Sequence, residues 1–148
     1  MRDFDRDFAE EVIERLAALP PDRAPRWGVM RATDLVPHLT HTMLWSMGER
    51  EAPNFTGNWL TTRVIGPMVV RGWLPIVKNV RITIPEGTNG EGNDTLNDLR
   101  AVISIYLAAV ESGALHPSKH PLFGDIGVDG WARMHVRHFE HHFTQFDL

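Results

Sequence analysis

The chain predicts an all-α fold: a four-helix bundle with a crossover connection and an additional short helical insertion. Three observations predict it. Four segments carry apolar residues at helical spacing, no segment alternates convincingly with a strand period, and a long apolar stretch separates the second and third of the four. A length of 148 residues suits one domain spanning 1–148 with a core of its own.

The first helix is expected over 3–19. Phe4, Phe8, Val12, Leu16 and Leu19 recur at steps of three or four, Asp3 is a candidate N-cap, and Pro20-Pro21 stops the run. A connector rich in Pro and Arg ends in Arg26-Trp27-Gly28. The second helix is expected from Asp34 to about Met47, capped by Thr33, with Pro37 in its first turn and Gly48 as its breaker. Leu35, His38, Thr42 and Trp45 share one face of it.

Residues 58–79 are apolar nearly all round and broken at Gly66-Pro67 and Gly72. This predicts two short helical pieces, packed over the core or used at a homodimer interface. Residues 85–93 read as a Gly- and Asn-rich loop without a phosphate-binding signature. Asp94 or Thr95 caps the third long helix, which runs through Leu96, Leu99, Ile103, Tyr106 and Val110 to Gly113. The fourth is expected over about Val128 to Phe146.

Composition excludes several functions. A net charge of −4 with scattered basic residues gives no footprint for nucleic acid or an anionic membrane. The absence of cysteine excludes disulfides, thiolate ligands and a protein-borne thiol nucleophile. The charged start MRDFDRDFAEEV has no apolar leader core, and the Trp59–Val80 stretch is cut by Arg63, Arg71, Lys78 and two prolines. The cytoplasm is therefore the expected location, with no membrane span.

Histidine stands out, with eight in the chain and four of them between 135 and 142. At helical pitch, Trp131, His135, His138, His142 and Gln145 fall within a sector of roughly 80° on the last helix. Phe139 and Phe146 border that sector, so it faces inward. Buried imidazoles need partners for both ring nitrogens, and one cation satisfies several at once. His138 and His142, at i and i+4, lie close enough to share an ion. The metalloprotease pattern is not completed, because position 139 is Phe and Glu140 points elsewhere. His135 is a further ligand candidate or an outer donor. A third ligand from a facing helix is expected to be His38, with His41 as its competitor; His116 and His120 are read as loop residues.

Arg26-Trp27-Gly28 with His38, then His120-Pro121-Leu122-Phe123-Gly124, Trp131 and the run His138 to Phe146 together resemble the DinB/YfiT-like metalloenzyme superfamily, within it a bacterial family of unknown function. The resemblance covers about 26–147. It implies a DinB-like four-helix bundle with a crossover and a divalent metal held by His38, His138 and His142. Zinc is the first choice for three neutral imidazoles, with nickel, manganese and iron as alternatives. The resemblance also implies a small-molecule substrate and a low-molecular-weight thiol, in a thiol-dependent transferase or a hydrolase. The alternative is a non-catalytic metal- or ligand-binding module. No catalytic base is assigned: Asp34 lies one turn before His38, but its place at the start of the helix suggests capping instead.

Overall fold

The computed structural model describes residues 2–51, 58–76 and 94–148. Four long helices carry the fold: α1 (Arg6–Ala17), α2 (Ala32–Ser46), α4 (Leu96–Glu111) and α5 (Gly127–Phe146). A five-residue helix, α3 (Gly66–Val70), lies between α2 and α4. Among the described residues there is no strand; a single antiparallel bridge joins His120 to Gly124.

The caps explain where the helices begin. Asp5, rather than Asp3, caps α1: its carboxylate accepts from the backbone N–H of Phe8 at 2.9 Å. Thr95 closes a capping box on α4, with its hydroxyl accepting from Asp98 N–H and the Asp98 carboxylate accepting from Thr95 N–H. The second helix starts two residues earlier than its sequence predicts. Its N-cap is Arg31, which makes no side-chain capping bond but holds the Asp34 carboxylate in a two-pronged ion pair at 2.8 Å. Pro37 consequently lies in the second turn instead of the first.

Helix α2 packs against both α4 and α5, and α1 packs against α4. The directions follow from the contacts. Phe4 meets the His135 ring, while Arg15 near the end of α1 reaches the Phe143 ring and the carbonyl of Leu148, so α1 and α5 run parallel. His38 early in α2 meets the late α5 residues His138 and His142, whereas Ser46 at its end meets His135; α2 and α5 are antiparallel. Between them lies one core that includes Phe8, Val12, Leu35, Leu39, Met43, Leu99, Ile103, Tyr106, Phe139 and Phe146. Removing such side chains from water, at 1.5–3 kcal/mol for each large one, holds the helices together.

The insertion packs on α5. A single π-turn, Thr61–Ile65, leads into α3, and the Arg137 guanidinium donates to the carbonyls of Val69 and Leu74 just past it. Gly66 lets α3 pass close to the 120–124 turn: a Cβ there would come within 2.9 Å of Phe123 Cβ. The two short helical pieces expected over 58–79 are the turn at 61–65 and α3, which meet at Gly66; residues 73–76 are not helical, and residues 77–79, like the expected 85–93 loop, lie outside the described residues. No helix among the described residues is long and apolar enough to cross a membrane.

Candidate metal centre

The histidines at and around the inward stripe of α5 fall into two groups with different surroundings. The first group is structural. His135, fully buried, stacks on Trp131 and meets Tyr106 edge-on. Its Nε2 is 2.9 Å from Ser46 Oγ, whose own proton goes to the Met43 carbonyl at 2.7 Å. Ser46 therefore accepts from His135 Nε2–H, and the ring is tied into the core rather than offered to an ion. His120, also buried, accepts from the backbone N–H groups of Leu122 and Phe123 through Nδ1, both at 3.2 Å, and stacks on Phe123. It pins the 120–124 turn. Burial lowers His120 to about 4 and His135 to about 3, so both rings stay neutral.

The second group converges. His38 Nε2 and His142 Nε2 each lie 3.0 Å from His138 Nε2. One nitrogen from each ring lies within 4.8 Å of the other two. The three rings stand nearly perpendicular to one another, with interplanar angles of 69–74° and centroids 4.7–5.0 Å apart. His38 and His138 are half-buried and His142 is buried. Removal from water lowers all three, His38 to about 4, His142 to about 3 and His138 well below the ordinary value. They are neutral at physiological pH, the state in which imidazole ligates.

Two of the three nitrogen pairs stand at a separation that a shared divalent ion allows. Two metal–nitrogen bonds of about 2.0–2.1 Å meeting at roughly 95–110° hold their nitrogens about 3.0–3.4 Å apart. The observed 3.0 Å contacts fall at the short end of that span. Three nitrogen donors and no charged group among them suit zinc and its first-row neighbours, not magnesium or calcium.

The structure thus brings together the three histidines singled out in the sequence and separates the others from them. His41 is buried outside the cluster, near Arg50, Asp94 and the backbone of Glu51. His116 is exposed. His141, which its helical position aims away from the ligand face, is half-buried against the edge of Trp27 and the ring of His142, beside the triad but outside it. Asp34 is held by Arg31 and its carboxyl is lowered by that bond; it belongs to the helix start, not to the cluster.

Two residues take roles that the sequence did not assign: Gln145, placed on the inward stripe of the last helix without one, and Ser46. Gln145 Oε1 lies 2.7 Å from His142 Nδ1, and its amide nitrogen donates to the Trp27 carbonyl at 2.9 Å. Ser46 sets the role of His135. Gln145 sits at i+3 from a candidate ligand on the same face, and that spacing was the available signal. Ser46 is distant in sequence from His135 and gave none.

A family model described as "Protein of unknown function (DUF1569)" matches residues 2–147. No curated protein and no solved structure matches the chain.

Proposed function

The chain belongs to the DUF1569 family of proteins of unknown function, and we propose that it is a metal-dependent transferase or hydrolase acting on a small molecule. His38, His138 and His142 hold one divalent ion, with zinc first by ligand type. One observation carries this reading: three neutral imidazole nitrogens from two separate helices face one another at 3.0 Å contacts around His138. Placement in the DinB/YfiT-like superfamily belongs to the same proposal. It is supported by an i, i+4 histidine pair on the last helix facing a third histidine on the second, in an all-helical bundle.

When bound, such an ion supplies Lewis acidity, which makes a thiol or a water molecule a competent nucleophile at neutral pH. The chain's own residues supply the frame. Helix α2 delivers His38 and α5 delivers the pair, so the packing of the two helices sets the distance between donors. The chain has no cysteine, which is consistent with a thiol that arrives from solution. Trp27 and His141 form a wall beside His142.

A second reading, a binding module without turnover, is favoured by one feature. Among the described residues, no carboxylate is hydrogen-bonded to the three rings, so no acidic side chain stands beside them as a base. Elemental analysis of protein purified without a nickel column tests metal binding, with about one equivalent of metal expected per chain. The His138→Ala/His142→Ala double variant is expected to lose it; full retention overturns the ligand assignment. Thiol-dependent consumption of model electrophiles by the metal-loaded but not the metal-free protein then separates enzyme from binding module.

A further inference from the structure

Gln145 lies one turn beyond His142 on α5, and both ends of its amide are engaged. The Trp27 carbonyl can only accept a hydrogen bond, so the group facing it at 2.9 Å is the amide NH2. That leaves the amide oxygen facing His142 Nδ1 at 2.7 Å, and an amide oxygen can only accept. The proton of a neutral His142 therefore sits on Nδ1, and its Nε2 carries a bare lone pair. The orientation is secured from the main chain as well: the Gln145 carbonyl accepts from Arg26 N–H at 2.7 Å, which anchors the connector carrying the Trp27 carbonyl.

The consequence reaches His138. Its Nε2 makes two contacts of 3.0 Å, to His38 and to His142, but a neutral ring carries at most one proton there. If that nitrogen is bare, it opposes the bare Nε2 of His142. If it is protonated, one proton must serve two neighbours. Hydrogen bonding alone leaves the cluster under-satisfied, and a cation satisfies every lone pair at once.

We infer that Gln145 is a positioning residue: it fixes the Nδ1–H tautomer of His142 and so aims the Nε2 lone pair into the histidine cluster before any ion arrives. The inference rests on the three-histidine reading for its purpose, but its own readout needs no metal. In the metal-free protein, Gln145 removes the cost of shifting a proton between ring nitrogens on binding. Outer partners of this kind contribute roughly 10–100-fold to metal affinity.

Long-range proton–nitrogen NMR of the histidine rings in the metal-free full chain near neutral pH reports the tautomer directly. Wild-type His142 is expected as Nδ1–H. In Gln145→Leu it is expected to move toward Nε2–H, and zinc affinity, measured against a chromophoric chelator, is expected to fall roughly 10–100-fold. Gln145→Glu, which keeps an acceptor at Nδ1, is expected to keep the wild-type tautomer. An Nε2–H tautomer in the wild type overturns the inference, as does a Gln145→Leu protein with unchanged tautomer and affinity. If Gln145→Leu does not fold, the wild-type and Gln145→Glu spectra decide alone. Should zinc bind neither protein while the tautomer still follows residue 145, the metal reading fails and tautomer control stands.

Discussion

Acidification from about pH 7.5 to about pH 5 should strip stability from the metal-free protein through its buried core histidines. His120 and His135 are held neutral by burial, at about 4 and about 3, against an ordinary value of 6.5. A histidine whose folded value is depressed contributes stability that is fully present above its unfolded value and is lost as pH falls below it. The window therefore opens at about 6.5 and extends toward 4 and below. At about pH 5 the unfolded chain has gained most of two protons that the folded chain refuses, a loss of about 2 kcal/mol for each ring and about 4 kcal/mol together. That is a large fraction of the 5–15 kcal/mol by which domains are typically stable. The carboxylates lowered by ion pairs or caps, Glu11, Asp34 and Asp98, have reference values of 4.5 or below, so their contribution is still largely intact at that pH. Chemical denaturation followed by circular dichroism at both pH values gives the total loss, to which His38, His138 and His142, lowered by the same burial, add in the metal-free protein. His135→Leu removes one titrating ring and should shrink the difference between the two pH values by about 2 kcal/mol, whatever it does to stability at neutral pH. If the pH-dependent loss is the same in His135→Leu as in the wild type, the buried neutral histidine is not its source.

Two further substitutions probe the packing that positions the site. Ser46→Ala leaves His135 Nε2–H buried without an acceptor and should cost about 1–3 kcal/mol in denaturant midpoint analysis, with zinc binding retained. Gly130→Ala places a Cβ 2.7 Å from Ile126 Cβ at the start of α5 and should cost about 1–3 kcal/mol by overpacking, read as a lower melting temperature.

The helices were legible because periodicity and caps are local. Thr95 with Asp98 three residues on, and the apolar steps from Leu96 to Tyr106, mark α4 with no reference to the rest of the chain. The start of α2 was misplaced for the opposite reason. Thr33 has the side chain of an N-cap, but the chain enters the helix at Arg31, which turns its guanidinium on Asp34. The i, i+4 pair His138 and His142 was readable from pitch alone. That His38 faces them depends on how α2 docks against α5, a property of two distant segments that periodicity constrains only to a face. The separation of His135 from the cluster was not readable at all, because it depends on a hydroxyl from Ser46.

That separation shows what turns an inward histidine into a core residue or a candidate ligand. His135, His138 and His142 lie on one stripe of one helix, and burial is the main cause that keeps each of them neutral. They differ in what the antiparallel helix α2 sets opposite them. Near its end α2 presents Ser46, whose proton is already committed to Met43, so its oxygen serves only as an acceptor and satisfies the N–H of His135. Near its start α2 presents another imidazole, His38, and the pair opposite it has no hydroxyl to absorb its lone pairs. The first arrangement is closed without an ion. In the second, Gln145 consumes the Nδ1 proton of His142 on the far side of the ring, so what remains facing the cluster is donor capacity toward a cation. On this argument, exchanging the two α2 residues' chemistry matters more than their burial: a hydroxyl at position 38 would turn the cluster toward the closed kind, with no change in the shape of the bundle.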